Sequence, residues 1–344
     1  MKISPIYILP VALLAIAGGG AWLLYPGGEH TPAGEHGIGQ LIHQDEAATE
    51  EPIQPIPLNV KLNPDKVALG ERLFNEVKLS HDNTISCASC HNLSAGGSDH
   101  QVYSLGTGGA ASDVNSPTVF NSGFNFRQFW DGRAKTLEDQ VEGPINHPKE
   151  MASNWPEVIG KLGKDPSYVA AFAKLYPDGI SSAAIKDAIA TFERSLITPN
   201  SRFDQYLRGN ENAITEEEKA GYLLFKQYGC TACHQGMNVG GNMFQTFGVT
   251  ADYFSERGGE SKADLGRFNV TGNEEDLHTF RVPSLRLVVL TPPYLHDGTA
   301  QTLEEAIDVM GKYQLGRPIA PEDKKLIIKF LYTLPGEYKG KPLT

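Results

Sequence analysis

Two runs, Cys87-Ala88-Ser89-Cys90-His91 and Cys230-Thr231-Ala232-Cys233-His234, hold all four cysteines of the chain and set a histidine directly after each pair. Thiols at this spacing, followed at once by an imidazole, suit covalent attachment of a c-type haem. The sulfurs form thioethers to the vinyl groups, and the histidine becomes an axial iron ligand. A zinc site would want its ligands clustered, and a thioredoxin-like C-x-x-C has no need of the adjacent histidine. The runs therefore predict two covalent haem c groups, one on Cys87, Cys90 and His91, the other on Cys230, Cys233 and His234.

The other face of each haem decides its use, because a second strong ligand makes an electron carrier and an open position makes a catalyst. Downstream of the second run the softest donor is Met310, and a His/Met pair would raise the reduction potential and suit electron entry. Leu303, Ala306, Ile307 and Met310 also share one helical face, so Met310 reads equally as core. Met237 and Met243, in the glycine-rich loop after the motif, are its rivals. For the first haem, residues 124–151 are dense in groups seldom found together. Trp130 offers a π-system for relaying electrons, or simple packing. Gln140 and Glu150 are an amide and a carboxylic acid of the kind that O–O cleavage needs, although such side chains are mostly solvated.

These groups need elements to hold them. Pro64–Phe74 precedes the first motif and residues 215–225 the second. Both read as helices with a G-x-x-L-F core, Gly70, Leu73 and Phe74 in one and Gly221, Leu224 and Phe225 in the other. A helix that packs on the haem following it, with a glycine allowing close approach, begins a cytochrome c domain, and its repetition indicates tandem domains. Helical patterns return at Trp155–Leu162 and at 183–196, where Ala184, Ile185, Ala188, Ile189 and Phe192 make an apolar core stripe. Residues 302–310 and 321–333 close the second module as two helices, the first opened by Thr302 with Glu305 three residues on, a capping-box spacing. Gly96-Gly97, 106–109 and Asn115-Ser116-Pro117 mark loops. The expected fold is mainly α: two tandem cytochrome c-like domains, 61–205 and 206–344.

Ile6 to Tyr25 carries no charge and approaches the roughly 20 residues needed to cross a bilayer, so residues 1–26 read as a membrane anchor. Ala15-Ile16-Ala17 resembles a cleavage site, but apolar residues resume after it, which favours the anchor over a removable signal peptide. Residues 27–60 read as a flexible linker whose His30, His36 and His43 are simply solvated. Export follows from either reading, to a periplasmic site tethered to the inner membrane. The net charge of −11 and the absence of a basic run argue against nucleic-acid binding, and call for a partner that is neutral or basic where it docks.

Together the motifs resemble those of the bacterial dihaem cytochrome c peroxidases, whose relatives include the methylamine-utilisation dihaem enzyme MauG. The resemblance runs from Pro64 to about Gly336. Its matching stretches are the two C-x-x-C-H modules, 115–119 (NSPTV), 129–133 (FWDGR), the loop from Gln140 to Glu150, and 282–286 (VPSLR) running on to 291–298 (TPPYLHDG). The resemblance implies that His91 holds the peroxide-reacting haem, that His234 and Met310 hold the electron-transferring haem, and that Trp130 lies between them. Gln140 and Glu150 are implied to line the peroxide pocket, Glu150 as acid and base. A calcium ion between the haems is implied as well, on the Asn115 side chain and the backbone oxygens of Thr291 and Pro293, an all-oxygen set that suits this cation.

One departure matters. Many members of that family carry a distal histidine in an S-x-G-H-x-G loop, which caps the peroxidatic iron until the second haem is reduced. Here the loop is Ser104-Leu105-Gly106-Thr107-Gly108-Gly109, with Thr107 at the histidine position. The first haem is therefore expected to be open at rest, unless His100 or His81 substitutes. The expected function is reduction of hydrogen peroxide with electrons from a small exported cytochrome c or a cupredoxin. Two alternatives stand beside it: a MauG-like enzyme oxidising residues of a partner protein, and a pure electron-transfer dihaem cytochrome. MauG carries Tyr where Met310 stands, so Met310 favours the peroxidase. Homodimers are common in the family, though no stretch of this chain indicates one.

Overall fold

The structure is a computed structural model and describes residues 51–344. Asn63 opens α1 (Pro64–Phe74) by accepting from the N–H groups of Asp65 and Lys66, with Pro64 where a missing N–H costs nothing. The first C-x-x-C pair forms a single turn, α2 (Cys87–Cys90). Four helices follow: α3 (Leu137–Asn146), α4 (Trp155–Leu162), α5 (Pro166–Leu175) and α6 (Ser182–Ser195). After α7 (Arg202–Leu207), Thr215 caps α8 (Glu216–Gln227) in a capping box with Glu218. The second pair lies in a 3-10 turn, Cys230–Ala232. Then come α9 (Tyr253–Arg257), α10 (Phe268–Thr271), α11 (Leu303–Val309) and α12 (Pro321–Leu331).

Among the described residues extended structure is confined to two antiparallel ribbons, β1 (Phe244–Thr246) with β2 (Thr279–Arg281) and β3 (Glu337–Tyr338) with β4 (Lys341–Pro342), plus isolated bridges. The protein is mainly helical, as the patterning predicts.

One helix crossing occurs twice. α1 packs on α6, and α8 packs on α12. A Cβ at Gly70 would overlap the Ala188 carbonyl and the Phe192 side chain, and one at Gly221 would overlap the Leu326 carbonyl and crowd Phe330. The close approach that these glycines permit is thus to the closing helix of each half, where the sequence had pointed to the haem. Around the first crossing Leu73, Ile145, Phe172 and Ile189 form a core against which Cys87 packs. Around the second, Phe203, Tyr222, Phe225 and Phe330 form another that receives Cys230. The described residues pack as one compact unit.

The linker expected to reach residue 60 ends earlier. Ile53 and Ile56 are fully buried, and the Gln54 carbonyl accepts a 2.6 Å hydrogen bond from Arg286. Among the described residues no helix is long and apolar enough to cross a membrane. The span expected at Ile6–Tyr25 and the linker histidines lie outside them.

Candidate functional site

A cavity of about 440 Å³ opens beside the second motif, lined by Cys230, Cys233, His234, Phe225, Ile307 and Met310 among others. Burial pushes the Cys230 thiol up to about 11 and the His234 imidazole down to about 4, so the ring is neutral, the form that ligates metal. His234 Nδ1 faces the Val239 carbonyl at 3.3 Å, which leaves Nε2 as the free ring nitrogen. This orientation by a carbonyl is what a ligating histidine needs. Met310 lines the same cavity; neither Met237 nor Met243 does. The residue stands where α11 gives way to a five-residue π-helix, Met310–Gln314, a distortion frequent at functional sites. An apolar hollow with half-buried thiols, a neutral imidazole and a thioether fits a covalently held haem.

Around the first motif, burial raises the thiols of Cys87 and Cys90, the latter to about 11, and lowers His91. Glu150 follows α3 in a loop whose next residue, Met151, is anchored in the core. Its side chain is 34% exposed, yet desolvation raises its pKa against the opposing pull of His147 and Arg133. A carboxylic acid with a raised pKa is suited to give and take protons near neutral pH. Gln140 sits half-buried on α3, and no hydrogen bond joins it to Glu150. Thr107 donates its N–H to the Glu150 carbonyl at 2.7 Å, and its hydroxyl is buried without a partner. His81 faces Glu157 at 3.1 Å, and His100 Nε2 lies between the carbonyls of Ala95 and Leu290. Both histidines named as substitutes for a capping ligand are thus engaged elsewhere.

Trp130 lies on the wall of the large cavity, and its indole N–H donates to the Asn115 carbonyl at 2.9 Å. The Asn115 N–H in turn donates to the His296 carbonyl at 2.8 Å, and the His296 ring stands edge-on to Trp130 with centroids 6.2 Å apart. Asn115 also gives its side-chain N–H to Gln101, so its Oδ1 is the acceptor left over. Asn115, Thr291 and Pro293 share the cavity wall. These contacts leave Asn115 Oδ1 available for the side-chain role that the resemblance implies.

Two features escaped sequence reasoning. His296 Nε2 donates to the Asp264 carboxylate at 2.7 Å, and Arg257 pairs with both Asp264 and Asp297. Burial raises the Asp264 carboxyl, but hydrogen bonds from His296 and Arg257 outweigh it and hold the group well below the usual range. Asp264, His296 and Asp297 have ligand atoms close enough for a cation, but the Arg257 guanidinium already matches the two carboxylates, so the cluster is an ion-pair network. Its members come from three separate segments, which no local pattern joins.

The second feature was legible. Residues 131–138, D-G-R-A-K-T-L-E, and 297–304, D-G-T-A-Q-T-L-E, are one segment used twice at a constant offset. Both copies have the same backbone: Phe129 and Leu295 adopt φ of 68° and 71°, Gln128 bridges Ala134, and Tyr294 bridges Ala300. Trp130 and His296 hold equivalent positions, and the equivalent of Met310 is Pro144 in α3.

The description Di-haem cytochrome c peroxidase matches residues 64–212. The chain is 50% identical over 289 residues to a protein of Escherichia coli K12 named cytochrome c peroxidase Ccp, covering 84% of this chain and 62% of that protein's length. It is 45% identical over 291 residues to the cytochrome c551 peroxidase of Nitrosomonas europaea, covering 84% of this chain and 86% of that one. Among solved structures, a MauG-like protein associated with microbial copper homeostasis superposes with a TM-score of 0.73 at 29% identity, over 86% of this chain and 96% of that one.

Proposed function

Because the chain belongs to the di-haem cytochrome c peroxidase family, we propose that it reduces hydrogen peroxide to two waters, consuming two protons and two electrons. The observation that carries this reading is Glu150, a carboxyl with its pKa raised by desolvation, set on the loop that Thr107 fastens beside the first haem motif. The two haems, held by Cys87, Cys90 and His91 and by Cys230, Cys233, His234 and Met310, supply one-electron chemistry and activation of the O–O bond.

Glu150 takes the proton from one peroxide oxygen onto its carboxylate and returns it to the other, so that the departing oxygen leaves as water. Gln140, on the helix before it, orients peroxide through its amide. Trp130, on the cavity wall, would relay electrons between the haems, and Asn115 Oδ1 with the carbonyls of Thr291 and Pro293 would hold a calcium ion. Thr107 offers no ligand of histidine's strength, so a haem held at His91 would need no reductive uncapping before peroxide binds. The electrons come singly from a small exported cytochrome c or a cupredoxin, in the periplasm, where the N-terminal segment tethers the two cytochrome c-like halves.

Glu150→Ala, prepared with both haems in place, is expected to lose peroxide turnover; turnover that persists overturns the acid/base assignment. A second reading, oxidation of residues on a partner protein, draws on the likeness to the MauG-like structure. Met310 favours electron entry over it, and turnover with a reduced small cytochrome c as sole donor separates the two.

A further inference from the structure

Arg281 ends β2 and is 4% exposed. Its backbone N–H donates to the Trp130 carbonyl at 2.8 Å, and its Nε donates to the Phe129 carbonyl at 3.2 Å. The outer nitrogen Nη1 is buried with no partner, and the residue lines the cavity that also holds His234 and Met310. Burial pulls its pKa down to about 10, with no carboxylate opposing the shift. The contrast with the other buried guanidinium is direct: Arg286 meets Asp204 at 2.7 Å and two carbonyls besides. A guanidinium taken out of water without a counter-ion is strongly unfavourable, so a cavity that receives an unpaired one is built for an anion. The group expected there carries two carboxylates of its own, the haem propionates, and a guanidinium is the side chain best shaped to hold a carboxylate.

We propose that Arg281 is the anchor for a propionate of the haem bound at Cys230, Cys233 and His234, and that it joins this carboxylate to the Phe129–Trp130 segment. One side chain then spans from haem edge to the backbone of Trp130. It is a positioning residue: it fixes the haem's charge and orientation and takes no part in bond breaking. The inference rests on the second haem being bound at that motif, whatever the substrate. Haem content measured on the same samples reports on this premise separately.

The test is the midpoint potential of the His/Met haem, by spectroelectrochemistry on the holoprotein without peroxide. Arg281→Gln leaves the propionate charge uncompensated, which favours the ferric state, so the potential shifts down. Arg281→Lys keeps the positive charge and restores most of the wild-type value. A merely structural arginine would make the two substitutions act alike, and equal shifts, or none, overturn the proposal. A crystal structure of the wild-type holoprotein decides the matter independently of any variant. Nη1 within hydrogen-bond distance of a propionate oxygen bears the proposal out, and Nη1 on water or a protein atom refutes it.

Discussion

The backbone N–H of Thr107 is hydrogen-bonded to the carbonyl of Glu150 at 2.7 Å. Gly106, just before it, lies so close to the Lys149 and Glu150 carbonyls that a Cβ would overlap them. The loop on which the family resemblance leads one to expect a histidine, and which has Thr107 instead, is here fastened to the residue proposed to move the proton.

The fully oxidised protein is accordingly expected to show a high-spin haem signal beside a low-spin one in EPR before any electron is added. Thr107→His supplies the missing ligand. It should turn the first haem low-spin and slow peroxide turnover of the oxidised enzyme until the second haem is reduced. Two low-spin haems in the wild-type protein would show that another residue caps the first iron.

Met310 can be separated from a core role by Met310→Leu, a swap that keeps apolar volume and costs less than about 1.5 kcal/mol in a packed core. Ligation predicts loss of the His/Met absorption signature and a fall in potential with the fold intact. An unchanged spectrum would return Met310 to the core stripe of α11.

Glu193, on α6, is buried with Oε2 unpartnered, and desolvation pushes its carboxyl up to about 8. In the unfolded chain it titrates near 4.5. Between these values the unfolded state releases a proton that the folded state keeps, so stability falls as pH rises from about 4.5 to 8 and levels off above that. Glu193→Gln removes the penalty. Relative to wild type it should gain on the order of a few kcal/mol between pH 5 and pH 9, read from denaturant midpoints. A pH-independent difference would place an unseen partner on Oε2.

Arg286 and Asp204 form an ion pair in which the side chains are 1% and 0% exposed. Arg286→Ala strands a buried carboxylate and should cost about 3–5 kcal/mol in chemical denaturation. Lys174 and Asp65, at 66% and 55% exposure, make an equally short pair in water. Lys174→Ala should cost no more than about 1 kcal/mol. Comparable losses at the two sites would mean that burial is not what sets the difference.

What could be read from the chain follows from how local each signal is. α1 and α4 are written in consecutive residues, by a proline start and an apolar period, and both fall where expected. The haem motifs and the Thr302 cap are equally local. Arg281 looks like any arginine until burial shows that Nη1 has nothing to hold, and Asp264, His296 and Arg257 meet only because loops fold together. The π-turn at Met310 leaves no mark in composition. The duplicated D-G-x-A-x-T-L-E segment is legible in the chain, because both copies are written in consecutive residues at one constant offset.

That duplication bears on the difference proposed between the two haem sites. Pro144 stands where Met310 stands in the other copy, and proline has no side-chain lone pair to offer a metal. The half that carries Glu150 thus lacks the donor atom that its copy offers at Met310, so one repeated segment presents two different sets of side chains to the groups proposed to bind there.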